Sequence, residues 1–140
     1  MDEATIAQLR LFVDRLNTES EEGSVIVVEG KRDVEALTSI GCTGQVTPLN
    51  RFKGINNFVD SQCNIDKKII LLLDMDRTGK YLTSKLLKQL QSRGGNVSLF
   101  YKKSLARISN GKIRHIEDLI SYAPLLSGIT DARKDLFMYT

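Results

Sequence analysis

No apolar run in this chain approaches the roughly 20 residues that a membrane-spanning helix requires, and the opening Met-Asp-Glu-Ala lacks the basic and apolar regions of a signal peptide. The expectation is a soluble, cytoplasmic protein with no membrane partner. Cysteine is scarce: Cys42 and Cys63 stand isolated, with no Cys-x-x-Cys spacing, so both read as small buried side chains rather than as a disulfide or zinc site. Histidine is scarcer still. His115 is the only one, and beside a basic segment it reads as a surface or turn residue. Repeats and low-complexity tracts are also missing. The residues that stand out for chemistry are carboxylates and cations, while in a nuclease His115 could touch phosphate.

What remains is 140 residues at 41% hydrophobic content, enough for one real core and too short for two. The net charge of +3 is compatible with a nucleic-acid partner and too mild to establish one. Its distribution says more: acids cluster in the first 35 positions, whereas Lys102, Lys103, Arg107, Lys112 and Arg114 fall in a segment without acid.

Ile6, Leu9, Phe12, Val13 and Leu16 recur at helical spacing, which predicts an amphipathic helix over 3–17, with polar Thr18 to Ser24 as the following loop. Ser24 to Val28 is a β-branched strand ending in Glu29-Gly30. Asp33 is placed to cap a helix to Ile40 that Gly41 ends. Gln45 to Leu49 is a second strand, followed by the Asn50 to Gly54 loop and a two-turn helix holding Ile55, Phe58 and Val59.

Ile69 to Leu73 is the third strand, five branched apolar residues that stop at Asp74 and Asp76. A helix over about 79–93 follows, with Leu82, Leu86, Leu87 and Leu90 as its buried stripe, and then a fourth strand from Val97 to Tyr101. Asn110-Gly111 suggests a tight turn and a small hairpin, Ile116 to Ala123 a helix that Pro124 discourages from continuing, and Thr130 or Asp131 a cap for a last short helix with Leu136 and Phe137.

Strands alternating with helices imply right-handed crossovers and an α/β fold, a four-stranded parallel sheet with helices on both faces. Every loop that follows a strand then opens on one edge. Glu29, Asp74, Asp76, the Arg51/Lys53 loop and the basic segment after Tyr101 share it. Carboxylates converging without His or Cys suit a hard cation such as Mg²⁺, or Mn²⁺ in its place. Lys31, Arg32, Arg51, Lys53, Arg77 and Lys80, with Lys102, Lys103 and Arg107, would steer and clamp the phosphates of RNA or DNA.

Val25 to Gly30, a buried strand ending in Glu-Gly, and later Asp74, Asp76 and Gly79, a buried strand ending in Asp-x-Asp with a glycine three residues on, together resemble the Toprim domain. That domain is shared by type IA and type II topoisomerases, bacterial primases, overcoming-lysogenization-defect nucleases and the ribonuclease that matures 5S ribosomal RNA. The resemblance covers about 24–126 of a single domain, 1–140, with the helix over 3–17 added before it and 127–140 an irregular or short helical end. It implies strand order 2-1-3-4, Glu29 as general acid/base and metal neighbour, Asp74 and Asp76 as Mg²⁺ ligands, and Gly30 and Gly79 as loop-shaping residues.

The chain departs from the larger members of that family. Topoisomerases need a catalytic tyrosine on a separate domain, whereas Tyr81, Tyr101, Tyr122 and Tyr139 read here as packing residues; a primase's zinc module is missing too. The expectation is a stand-alone Toprim protein that cleaves phosphodiesters or transfers phosphoryl groups with Mg²⁺. A non-catalytic, metal-dependent module that binds nucleic acid or docks on protein is the alternative, and there is room for a protein partner or a homodimer. Leu73 to Thr78 also looks like the nucleophile loop of haloacid-dehalogenase-type phosphatases, with Asp74 phosphorylated, but little chain follows for that fold's later residues. Glu117-Asp118 could add an acid to the site or serve as a helix N-terminal charge.

Overall fold

The computed structural model describes residues 2–62 and 66–126. The final helix expected after Thr130 and the tyrosine at 139 lie outside these residues, as does Cys63. Four short strands, β1 (Val25–Val28), β2 (Val46–Pro48), β3 (Lys68–Leu71) and β4 (Asn96–Ser98), form one parallel sheet in the order β2-β1-β3-β4. Strand side chains alternate between faces, so each strand feeds two cores. Ile26, Val28, Ile70 and Leu72 pack on one side with Leu9, Phe12 and Leu37, while Val27, Ile69, Leu71 and Leu73 pack on the other with Phe58, Leu86 and Leu90. That double burial is why β1 and β3 read as unbroken apolar runs instead of alternating ones.

Helices α1 (Glu3–Glu21), α2 (Lys31–Ser39) and α5 (Phe100–Ile108) supply the first face, together with a 3-10 segment at Ile116–Tyr122; α3 (Ile55–Gln62) and α4 (Arg77–Ser92) cover the second. Among the described residues no helix is long and apolar enough to cross a membrane. Cys42 is buried in the first core, which pushes its thiol up to about 12 and leaves it inert.

Several boundaries differ from the sequence expectation, each for a tertiary reason. Helix α1 runs on over the polar residues as far as Glu21. Its last turn is held from outside, by Lys68 Nζ at 2.9 Å from Glu19 Oε2 and by Asn17, whose side chain donates to Gly41 O and accepts from Thr43 N. Strand β4 ends at Ser98, and the basic segment expected as an irregular loop is helix α5, with Tyr101 buried inside it. Asn110 and Gly111 do form a left-handed turn, at φ 53° and 75°, but it ends α5 and joins no hairpin. The chain stays helical over 123–126 despite Pro124, which sits where a first helical turn needs no N–H donor. The N-cap of helix α2 is Gly30, not Asp33; Asp33 reaches back to accept the Gly30 N–H at 3.1 Å.

The two motif glycines act by close approach. Gly79 lies in the first turn of α4, buried, where an added Cβ would fall on the Asp74 carbonyl and come within 2.9 Å of Glu29 Oε1. Gly30 has extended backbone, and a Cβ there would meet only the Asn50 side-chain amide, at 2.9 Å. Replacing Gly79 by alanine should therefore cost about 2–4 kcal/mol in urea unfolding and Gly30→Ala about 1 kcal/mol or less, because a side-chain amide can rotate and a carbonyl in a turn cannot. Equal losses for the two variants would contradict this account.

Candidate functional site

Because β1 and β3 are neighbours, with Val27 opposite Leu71, the residues just past their ends meet. Glu29 Oε1 accepts the Asp74 N–H at 3.3 Å, a hydrogen bond that joins the two motifs across 45 positions of sequence. Asp74 Oδ1 in turn accepts the Ile116 N–H at 2.8 Å, and Asp76 Oδ1 caps helix α4 by accepting the Gly79 N–H at 2.7 Å. Each carboxylate thus gives one oxygen to a backbone amide. The second oxygen of Asp76 lies 3.3 Å from His115 Nε2, whose Nδ1 is 3.6 Å from Asp118.

The electrostatics are those of a site short of positive charge. Burial, and then the neighbouring Asp74, push the Glu29 carboxyl above its ordinary value. Asp74 is also raised, first by burial and then by Asp76, against the pull of the Ile116 N–H. Asp33, buried beside Asp74, is raised for the same reasons. Facing them is Lys102 from α5. Its ammonium donates to Thr83 Oγ1 at 2.9 Å, and that hydroxyl donates to Gly79 O at 2.7 Å. Burial and Lys80 lower the Lys102 pKa, while Glu29, Asp74 and Asp76 favour its charged form.

The donor set is all oxygen apart from His115. Among the described residues no three or more His, Cys, Asp or Glu side chains stand together as a ready metal cage. Mg²⁺ does not need one, since it commonly takes one or two carboxylates and fills its octahedron with waters. The second oxygens of Asp74 and Asp76, and a Glu29 that carries excess desolvation, fit that ion better than zinc.

A cleft of about 750 Å³ opens beside Glu29 and Asp74, lined also by Lys31, Arg32, Asp33, Asn50 and Glu117. The cations named from sequence divide. Lys31 and Arg32 line the cleft, although Arg32 is 3.4 Å from Glu117. Arg77 and Lys80 stand exposed at the start of α4, next to Asp76. Arg51 is not brought to the carboxylates; it lies over the Phe52 ring and lines another cavity, with Asn17, Gly44 and Lys67. Lys53 is exposed in the loop after β2, and Lys103 on α5. Arg107 lines a groove between α1 and α5 with Leu11 and Arg15.

Two contributors carry no sequence signal for the place they take at the site. His115 and the Ile116 amide reach the site because Met75 N donates to Arg114 O, at 2.6 Å, which lays residues 114–116 along the aspartate loop. No local pattern announces that docking. Lys102 was grouped with its basic neighbours, and only the helical geometry of α5 separates it from Lys103. Tyr81, expected to pack, is 62% exposed.

The chain matches the profile of the Toprim domain over residues 23–101, a stretch that contains both motifs. It is 31% identical over 121 residues to a UPF0292 protein of Methanosarcina barkeri, covering 86% of this chain and 84% of that one. A UPF0292 protein of Methanocaldococcus jannaschii is 34% identical, with 79% and 85% covered. A solved structure from Aquifex aeolicus superposes with a TM-score of 0.65 at 31% identity, over 77% of this chain and 94% of its own. The match associates the chain with metal-dependent, nucleic-acid-related work and sets the haloacid-dehalogenase alternative aside. With its Glu-Gly and Asp-x-Asp motifs on adjacent strands of a 2-1-3-4 sheet, this chain belongs to the Toprim domain family.

Proposed function

We propose that the chain is a Mg²⁺-dependent enzyme that cleaves or transfers phosphodiesters of RNA or DNA. The observation that carries this reading is the division of labour at the strand ends: each of Glu29, Asp74 and Asp76 spends one oxygen on a backbone amide, which fixes its orientation. Asp74 and Asp76 would hold the ion, and Mn²⁺ could replace Mg²⁺. When bound, the ion neutralises phosphoryl oxygens and acidifies a water. Glu29, whose raised pKa brings its proton affinity nearer the working pH, takes or returns the proton of the reacting oxygen. Lys102, held by Thr83, faces the charge that develops on the phosphate, and Lys31, Arg32, Arg77 and Lys80 hold the flanking backbone. A second reading, a docking module that binds nucleic acid without turnover, draws support from the contact of His115 with Asp76 Oδ2, the oxygen the ion needs.

Cleavage of end-labelled structured RNA and DNA separates the two. Glu29→Gln and Asp74→Asn keep the acceptors for the Asp74 and Ile116 amides, so both variants should fold while losing at least about 100-fold in rate. Lys102→Ala should lose rate without losing metal affinity. If wild type and Glu29→Gln leave the same background with Mg²⁺ and with Mn²⁺, catalysis is excluded and docking is retained.

Stability should show the same charge imbalance. A carboxyl whose pKa is raised on folding binds its proton more tightly in the native state. Its contribution is therefore favourable at low pH and is lost as pH rises from the ordinary carboxylate range through the raised value. Without divalent ions, Asp74→Asn should melt above wild type at about pH 7, and the gap should close as pH falls through that window. Saturating Mg²⁺ should raise the wild-type midpoint by several degrees, as expected for about 2.7 kcal/mol at a hundredfold excess over Kd. It should not move Asp74→Asn. A metal-free wild type more stable than the variant at neutral pH would contradict the assignment.

A further inference from the structure

Helix α4 starts at the carboxylates, because Asp76 is its N-cap, and runs away from them for 16 residues. Its sequence, Arg-Thr-Gly-Lys-Tyr-Leu-Thr-Ser-Lys-Leu-Leu-Lys-Gln-Leu-Gln-Ser, contains four cations and no acid. Gly79, Thr83, Leu86 and Leu90 face the protein, whereas Arg77, Lys80, Tyr81, Ser84, Lys85 and Lys88 are all exposed. Tyr81 lies in the middle of that basic face at 62% exposure, the most exposed large apolar side chain among the described residues. Lys85 Nζ lies 5.9 Å from the ring centroid. Among the described residues neither core cluster includes this tyrosine.

A solvated helix face needs cations and no aromatic; a protein-docking face would carry more apolar area than one ring. Cations spaced along a track with an exposed ring among them match the needs of an unpaired nucleic-acid strand, whose phosphates seek charge and whose free bases seek a π-surface. Bases inside a duplex are already stacked and cannot use the ring. We infer that the exposed face of α4 is a track for single-stranded nucleic acid, with Tyr81 stacking on one unpaired base as the strand leaves the carboxylates. This rests on the proposed function and narrows it: the strand at the site is unpaired there. Stacking and phosphate contacts are common to both sugars, so a ribose and a deoxyribose strand bind alike.

Binding of fluorescent oligouridylate and oligodeoxythymidylate of about 12 nucleotides, within the usual site size for one small domain, tests the track. Measured by anisotropy on the full chain with EDTA present, it does not depend on turnover. Tyr81→Ala should weaken both strands by about tenfold or more and Tyr81→Phe by less than about twofold, with a blunt duplex affected by neither. Lys85→Gln with Lys88→Gln should instead lower the slope of log K against log salt by about 1.4, two single-strand contacts at about 0.7 each. Since the chain contains no tryptophan, Tyr81→Trp supplies a lone reporter whose emission a single strand should quench. Unchanged binding by a folded Tyr81→Ala, or equal quenching of the tryptophan by duplex and single strand, overturns the track. The proposed catalysis fails separately, in the cleavage of wild type against Glu29→Gln. Loss of binding in Tyr81→Ala without any cleavage by wild type would keep the track and remove the enzyme.

Discussion

One hydrogen bond organises the carboxylate edge of this protein: the Asp74 amide donating to Glu29 across the ends of β1 and β3. It exists only because those strands are neighbours in parallel register, which in turn requires the crossover through α2, β2 and α3 to return the chain beside its first strand. The same contact explains why Gly79 has no side chain. The first turn of α4 passes so close under the Asp74 carbonyl and the Glu29 carboxylate that a methyl group has no space. Fold and site are therefore not separable here; the turn that starts α4 also aims Asp76 and backs the other two acids.

The packing that supports this edge is conventional. Two cores flank a sheet only four strands wide, and the fully buried Leu72 and Leu73 continue past the last ladder pair of β3 to deliver Asp74. Each such side chain contributes about 1.5–3 kcal/mol on burial. That apolar support offsets the desolvation of carboxylates that raise one another's pKa. Lys102, poised on Thr83, brings positive charge towards that cluster.

Much of this could be read from the sequence, because double burial writes itself as continuous branched apolar runs and helices as a 3.6-residue stripe. Those two signals locate the elements, whereas the strand order followed only from the resemblance carried by the paired motifs, and the sheet has that order. What could not be read depended on contacts between distant segments. The last turn of α1 looked like loop because its anchors, Lys68 and Gly41, lie far along the chain. Helix α5 has no local start signal, because it begins directly after a three-residue strand with no loop or side-chain cap between them. At the site, Glu29, Asp74 and Asp76 were identifiable at strand ends, whereas His115 and the Ile116 amide arrive through a backbone contact that no local pattern records. Arg51 shows the opposite error: a cation in the right loop whose side chain lies elsewhere.

The proposal turns on Asp74 and Asp76, each anchored by a backbone amide, holding one hard cation beside Glu29, and the most direct measurement is anomalous diffraction from crystals soaked in Mn²⁺. The expected result is a peak within coordination distance of the Asp74 and Asp76 carboxylates and beside Glu29, with the Ile116 and Gly79 amides still bound to their carboxylate oxygens. A peak elsewhere, or none at a concentration that saturates exposed carboxylates, would contradict it.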